Sequence, residues 1–134
     1  MRDAQWKFGQ ASLAVKDTTV YCADDIKLGA IDSRAPFSAH KTGLVEGYQV
    51  VFSPDADFAA GDSFIPILLD SANGTDFTEI LRGPQTAAAI TKGTRARLPL
   101  PIEHRQYLRA GAVPKSTGTL TACTVTAWVE AGPN

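Results

Sequence analysis

The sequence predicts an all-β fold: an antiparallel jelly-roll-like β-sandwich of about eight strands with an extended N-terminal arm. Short stretches rich in β-branched and aromatic residues recur along the chain, and clusters of Gly, Pro, Asn and Asp separate them. No stretch has the apolar spacing of an amphipathic helix. With 134 residues, of which 44% are hydrophobic, the chain has the size of one domain built around a single core.

The first segment, 1–17, is interpreted as the arm, and 18–134 as a single β-sandwich domain, because the pattern of apolar residues is weak before residue 18. The largest apolar side chains of the arm are Trp6 and Phe8. Such a segment either docks on a neighbouring protein or caps the protein's own core, and the sequence leaves both alternatives open.

The first part of the domain predicts short strands around one long loop. Thr18–Ala23 is rich in β-branched and aromatic residues and predicts a strand, which a short extended piece follows at Ile26–Leu28. Between 29 and 47 the residues are mainly small or polar, which predicts a long surface loop. Gln49–Phe52 predicts the next strand.

A β-hairpin is predicted in the middle of the chain. Ser63–Asp70 carries apolar residues on both faces, and Phe77–Arg82 returns antiparallel to it. Asn73-Gly74 between them supplies two residues that tolerate positive φ, as a tight turn requires. The three alanines of Gln85–Ile90 predict either a single helical turn or a covering loop.

The stretch 94–109 combines an apolar face with a basic one. Side chains alternate along a strand, so a strand that begins at Thr94 separates the two sets. Proline lacks an N–H donor, so prolines at alternate positions predict that this strand lies at the edge of a sheet. Gln106–Arg109 predicts a second extended segment after a turn. The apolar set is Ala96, Leu98 and Leu100, and the opposite set is Arg95, Arg97, Pro99 and Pro101.

The C-terminal part predicts one turn region and one long strand. Gly111–Gly118 contains Pro114 and a predicted turn at Lys115–Gly118. Thr119–Glu130 has apolar residues on one face and a mixture of threonine and apolar residues on the other. This pattern is typical of a strand in the middle of a sheet whose outer face is half covered.

Several short motifs resemble those of one protein family. The relevant residues are Leu98-Pro99-Leu100-Pro101, Arg105 and Tyr107-Leu108-Arg109, together with Phe8-Gly9-Gln10-Ala11, Ile26-Lys27-Leu28-Gly29 and Gly61-Asp62-Ser63-Phe64. In these positions the chain resembles the capsid cement (decoration) proteins of tailed bacteriophages, of the podovirus jelly-roll type. Lys27 stands where the family has an acidic residue, and 30–45 departs most clearly from the family.

The resemblance implies a structural role. Such a protein binds the outside of a phage head and stabilises contacts between subunits of the major capsid protein, so its expected location is the outer surface of the virion after assembly in the host cytoplasm. The expected partners are the major capsid protein and further copies of this chain, with a dimer preferred and a trimer as the alternative. The expected interface comprises Trp6, Phe8, Arg95, Arg97 and Arg109.

Two alternatives stay open beside the cement protein. One is a carbohydrate-binding module, because jelly rolls also serve as lectins, with Trp6, Tyr48, Tyr107 or Trp128 as an aromatic platform. The other is a different structural protein of the virion. A simpler interpretation of the arginines themselves is a solvated face.

Charge and hydropathy exclude other partners. The 13 basic and 14 acidic residues give a formal net charge of -1, whereas nucleic-acid binding needs a clustered basic surface. No run approaches the roughly 20 apolar residues that cross a bilayer, and the N-terminal residues lack the core of a signal peptide. We therefore expect neither a nucleic acid nor a membrane among the partners, and synthesis in a cytoplasm.

Residues that carry out chemistry are sparse and scattered. His40 and His104 are the only histidines, and neither lies in a catalytic motif. Asp55-Ala56-Asp57 and Asp62 lack the third ligand and the closing glutamate of a calcium loop. The sequence therefore predicts no catalytic residue, no metal, no cofactor and no enzymatic activity.

The two cysteines, Cys22 and Cys123, stand too far apart in the chain for a zinc or redox motif. Reduced, buried thiols are the simplest interpretation. A disulfide stays open as an alternative if the first and last strands lie side by side.

Overall fold

The computed structural model describes residues 7–27, 48–100 and 105–131, and in this part of the chain nine strands form two antiparallel sheets. No helix occurs among these residues, and therefore they contain no helix that could span a membrane. The prediction of an all-β sandwich is confirmed. The strands are β1 Lys7–Leu13, β2 Val20–Tyr21, β3 Ile26–Lys27, β4 Tyr48–Pro54, β5 Asp62–Ser71, β6 Thr78–Arg82, β7 Ala96–Pro99, β8 Tyr107–Ser116 and β9 Cys123–Ala131.

The strand order is that of a jelly roll. The first sheet has the order β1-β9-β4-β7 and the second the order β2-β8-β5-β6, with β3 also paired to β8. Four of the pairings nest inside one another: β6 with β5, β7 with β4, β8 with β2 and β3, and β9 with β1. The nested pairings together form one long hairpin. This hairpin is rolled up so that β4 also pairs with β9 and β5 also pairs with β8.

The core lies between the two sheets and follows from the alternation of side chains. On β4, Val50 and Phe52 point inward, as Leu108 and Ala110 do on β8. The ring centroids of Phe52 and Phe64 are 6.4 Å apart, which brings the two sheets into contact at the centre of the core. Burial of such side chains stabilises the fold by about 1.5–3 kcal/mol each.

The described part of the N-terminal segment belongs to the sandwich rather than to a free arm. β1 pairs with β9 from Lys7 to Leu13, and the pairing register shifts between Lys7 and Gly9, which has φ +87°. This irregularity, together with the small residues of the strand, obscures the alternation that identifies a strand in a sequence. The sandwich therefore includes Lys7–Leu13, which the sequence analysis assigned to the arm, and 1–6 lies outside the described residues.

β8 is longer than the sequence pattern indicates, since it continues through Gly111 and Pro114 to Ser116. The carbonyl oxygen of Pro114 accepts a hydrogen bond from the Asp17 amide at 2.7 Å, so the missing N–H of the proline does not interrupt the contact with the neighbouring segment. By contrast, β2 and β9 are shorter than predicted, and Gln85–Ile90 forms a covering loop. The predicted loop at 29–47 lies outside the described residues.

Candidate binding surfaces

An ion-pair cluster occupies the outer face of the first sheet and includes two of the predicted interface residues. Arg95 Nη1 and Arg97 Nη2 lie 3.6 and 3.7 Å from the same oxygen, Oε2 of Glu130. The indole N–H of Trp128 donates to the other oxygen, Oε1, at 2.9 Å. The guanidinium of Arg95 also lies over the Trp128 ring, 5.4 Å from its centroid. We call these four residues the arginine cluster.

The arginine cluster carries one more positive charge than negative. The hydrogen bond from Trp128 holds the pKa of the Glu130 carboxyl below its ordinary value, and Arg95 and Arg97 lower it further. Glu130 is therefore ionised at neutral pH, and two guanidinium groups share a single carboxylate. Their side chains are 48% and 43% exposed, so N–H donors stay available for an acceptor on another molecule.

Arg109, the third predicted arginine, lies on the outer face of the second sheet. Its Nε and Nη2 donate to the two carboxylate oxygens of Asp25 at 2.9 and 3.0 Å. Its guanidinium lies 3.9 Å from the ring centroid of Phe77 and 5.4 Å from that of Tyr21. The bond to Asp25 raises the pKa of Arg109. We call Tyr21, Phe77 and Arg109 the aromatic strip.

The aromatic strip lies beside a small apolar cluster. Ile67, Leu69 and Val113 form this cluster on the outer face, with Phe77 packed against it, and each of the three is less than 7% exposed. The position of Tyr21 depends on Gly111, because a Cβ there would lie 3.0 Å from the Tyr21 ring. Burial of this outer cluster explains how the sheet carries apolar residues on both faces.

The five predicted interface residues do not form one surface. Arg95 and Arg97 lie together, whereas Arg109 faces the opposite way, because its neighbours Leu108 and Ala110 point into the core. Phe8 is 0% exposed and packs in the protein's own core, so its side chain is not available at the surface. Trp6 lies outside the described residues.

Tyr21 is the surface residue that the sequence analysis missed. Its side chain is 46% exposed, and it is one of the two large exposed apolar residues among the described part of the chain. The sequence could have indicated this position, because adjacent residues of a strand face opposite sides: Val20 packs against the core, so Tyr21 points outward. That signal is short, because β2 has only two residues.

A groove follows the side of β7 on which no described strand lies. Its volume is about 280 Å³. On one side lie residues 94–97, and on the other side lies the covering loop at 84–90. The lining side chains include Pro66, Ala87, Ile90 and Ala96, so the walls are mainly apolar. We call this cavity the edge groove.

The aromatic residues named for a carbohydrate platform are mostly occupied. Trp128 is 5% exposed, and Tyr107 is half-buried with the Lys27 ammonium 5.4 Å from its ring centroid. Trp6 and the side chain of Tyr48 lie outside the described part. Of the exposed aromatic residues described, Tyr21 fits a platform best, because Asp25 and Arg109 lie beside it.

The carboxylates that resemble a calcium loop have separate partners. Asp55 accepts hydrogen bonds from Gln10, Thr124 and Thr126 at 2.7–3.0 Å. The Asp57 carboxylate accepts from the Lys92 amide, and Asp62 accepts from the Ser116 hydroxyl and the Thr121 amide. Within the described ranges, no three His, Cys, Asp or Glu side chains come close enough together to hold a metal ion. His40 and His104 lie outside these ranges.

Both cysteines are free thiols in the structure. Burial, with a further contribution from the Asp24 carboxylate, raises the pKa of the Cys22 thiol to about 12. Cys22 is thus protonated at neutral pH and a poor nucleophile. Cys123 is half-buried at the start of β9 and lines a second groove of about 350 Å³.

Comparison with models of known protein families gives no match. A search among curated proteins likewise finds no significantly similar sequence.

Proposed function

We propose that this chain is a capsid cement protein, which binds the outside of a tailed-phage head and stabilises the contacts between its major capsid protein subunits. The observation that carries the proposal is the position of the motif residues within a jelly-roll strand order. Leu98 and Leu100 are core residues, Pro99 faces outward on the edge strand β7, and Tyr107 begins β8.

Arg105, another residue of that motif, supports the proposal by its contacts. Its backbone N–H donates to Asp70 Oδ2 at 2.8 Å, and its guanidinium donates to Asp70 Oδ1 and to the Asp70 carbonyl oxygen. These bonds join the end of β5 to the start of β8. A cement protein needs such a stiff scaffold, since it transmits force between the subunits that it joins.

The shell-facing surface in this proposal is the arginine cluster with the edge groove beside it. Arg95 and Arg97 contribute exposed positive charge on this side. Arg109 lies on the opposite outer face, where it is available to a second copy of the chain rather than to the same shell contact. A dimer is the preferred arrangement and a trimer the alternative, and several weak contacts per particle then add through effective concentration.

Co-sedimentation with undecorated, expanded heads of the parent phage tests the function. We expect the purified chain to sediment with the heads and to raise the temperature at which they release DNA or lose subunits. Unexpanded heads serve as the control, because their surface lattice differs. A chain that stays in the supernatant at micromolar concentration is not a cement protein of those heads.

One observation favours the second candidate, a carbohydrate-binding module. Tyr21 is an exposed ring with the carboxylate of Asp25 and the guanidinium of Arg109 at its side, which together offer an apolar platform, acceptors and donors. A glycan array discriminates between the two functions. Reproducible binding that the substitution Tyr21→Ala abolishes favours the module over the cement protein.

A further inference from the structure

Most sheet edges of the described sandwich are protected against pairing with another strand. At β1, the amides of Ala23 and Asp24 donate to the carbonyl oxygens of Gln10 and Phe8 at 3.1 and 2.9 Å. β2 and β3 have only two residues each. β6 contains a bulge, since the register slips by one residue opposite Leu68 and Leu69, and this distortion discourages pairing.

β7 is protected only at its end. It pairs with β4 on one side, and no described strand lies on its other side. Proline in a sheet directs its missing N–H away from the ladder, so the position of Pro99 indicates that odd-numbered residues turn their backbone groups outward. Arg97 therefore presents its backbone N–H and C=O groups on the side where no described strand lies, before Pro99 ends the usable edge. The same alternation, continued to Arg95 just before β7, turns the backbone groups of Arg95 to that side as well.

The edge groove lies along this same short stretch. Its lining includes Arg95, Ala96 and Arg97 but not Pro99, and Ala87 and Ile90 form the facing wall. A volume of about 280 Å³ suits a few residues of an extended chain rather than a helix or a large ligand. Addition of an extended segment to an exposed edge, with pockets for its alternate side chains, is a recurring mode of peptide recognition.

The charge beside the groove specifies the segment further. Two guanidinium groups share the Glu130 carboxylate at 3.6 and 3.7 Å, which is longer than a hydrogen bond between such groups. A second carboxylate would neutralise the remaining positive charge. An acidic side chain flanked by small apolar residues is therefore the chemistry that complements both the rim and the walls.

We propose that the edge groove binds a short extended segment of the shell protein, which pairs with Ala96 and Arg97 at the start of β7 and with Arg95 just before it, and places an acidic side chain against Arg95 and Arg97. This inference rests on the proposed function and names the partner chemistry for it. In this mode, backbone pairing supplies affinity, and the acidic side chain sets the register of the bound segment.

Two adjacent alanines give a matched pair of variants. Ala87 lines the groove, whereas Ala88, which is also exposed on the same loop, does not line it. In Ala87→Trp the indole fills the groove, and Ala88→Trp adds the same side chain outside it. We expect Ala87→Trp to weaken co-sedimentation with undecorated expanded heads by about tenfold or more, and Ala88→Trp to leave it within about twofold. Equal thermal unfolding midpoints establish that both variants fold.

Amide hydrogen exchange on the complete chain provides an independent readout. Binding to heads should slow exchange at the amides of Arg95 and Arg97, and Arg97→Glu should remove both the protection and the binding. If the unmodified chain binds the heads, but both tryptophan variants bind equally well and these amides exchange unchanged, the groove inference is wrong and the cement function stands. If the unmodified chain does not bind at all, both proposals fail.

Discussion

Gly111 shows how one side chain, or its absence, sets the local packing. A Cβ at this position would lie 2.7 Å from the carbonyl oxygen of Val20, 3.0 Å from the Tyr21 ring and 3.3 Å from Ile67. The first of these neighbours is backbone, which cannot rotate away. Only glycine therefore allows β2 to approach β8 closely and the Tyr21 ring to cover the middle of the outer face.

We expect Gly111→Ala to lower the free energy of unfolding by about 1–3 kcal/mol, because β2 must shift away from β8. Gly118→Ala is the control, since no atom lies within 4 Å of its Cβ and its φ is not positive. That variant should be neutral or slightly more stable, because alanine reduces the freedom of the unfolded chain. Urea unfolding measures both, and equal effects would contradict the packing argument.

The lowered pKa of Glu130 makes the stability of the fold depend on pH. Its pKa is lower in the folded chain than its ordinary value of 4.5, first through the Trp128 hydrogen bond and then through Arg95 and Arg97. The folded state therefore binds the proton less readily than the unfolded state. The resulting stabilisation is present above about pH 4.5 and is lost as the pH falls through the folded pKa.

The measurement is the unfolding free energy between neutral pH and the acid range, for the unmodified chain and for Glu130→Gln. We expect the substitution to reduce stability at neutral pH and to flatten the loss on acidification. An unchanged slope below the ordinary pKa of glutamate would show that Glu130 does not contribute to this dependence.

At the scale of elements, hydrogen bonds at strand ends connect segments that are distant in sequence. Asp70 at the end of β5 is 4% exposed and accepts bonds from the amide and guanidinium of Arg105, which precedes β8. The pairing of β5 with β8 continues from there to Asp62 and Ser116 at its other end. The two longest strands are therefore held at both ends by an aspartate, since Asp62 also bonds Ser116.

We expect Asp70→Ala to lower the free energy of unfolding by about 2–4 kcal/mol, because it removes several hydrogen bonds and leaves their donors without this partner. Asp76→Ala is the control, since the exposed Asp76 in the same hairpin accepts one side-chain bond, from Asn73. It should cost no more than about 0.5 kcal/mol. Chemical unfolding distinguishes the two, and a cost for Asp70→Ala as small as that of Asp76→Ala would contradict the role of this clamp.

The sequence predicted elements well where the determining contacts are local. The β5–β6 hairpin is confirmed, because the alternation on both sides of Asn73-Gly74 specifies two strands that pair antiparallel. The predicted tight turn at Asn73-Gly74 is not observed: the connection is 72–77, and only Gly74 of the two residues has a positive φ, +83°. Ser71 Oγ accepts hydrogen bonds from the amides of both residues. β1 was interpreted as part of an arm, since its pattern is irregular and its pairing depends on β9, more than 100 residues later.

At the scale of the whole molecule, the nested pairings order the contacts by sequence separation. β5 and β6 meet across a few residues, whereas β1 and β9 join the two ends of the chain. Closing a long loop costs more conformational entropy than closing a short one. We therefore expect the hairpin to form early in folding and the β1–β9 pair to form late.

Two substitutions, one on β1 and one at the hairpin, test this order by their folding kinetics. Phe8→Ala removes a ring that is 0% exposed on β1 and should cost about 3–5 kcal/mol, mostly as faster unfolding. Ser71→Ala removes the bonds of the hairpin turn and should mainly slow folding. Stopped-flow folding and unfolding rates against denaturant concentration measure both effects. If Phe8→Ala mainly slowed folding and Ser71→Ala mainly accelerated unfolding, the hairpin would not form first.

The candidate binding surfaces were also predictable from the sequence only in part. Alternation from Thr94 correctly predicted that Arg95 and Arg97 face away from Leu98 and the core, because period-two geometry is a property of any strand. That Arg109 lies on the other outer face could not follow from this pattern, since it depends on β7 and β8 belonging to different sheets. The edge groove likewise requires the loop at 84–90 to pack beside β7.

The amino-acid sequence by itself determined the all-β class, the central hairpin, and the apolar and charged faces of individual strands, because these depend on backbone preferences and on side-chain alternation over a few residues. The tertiary structure alone decided that the N-terminal residues from Lys7 enter the first sheet, that Phe8 is core, and that the arginines divide between two outer faces. Those outcomes depend on which strands become neighbours in the two sheets. Contacts between residues far apart in sequence determine these neighbours, and a local sequence pattern does not contain them.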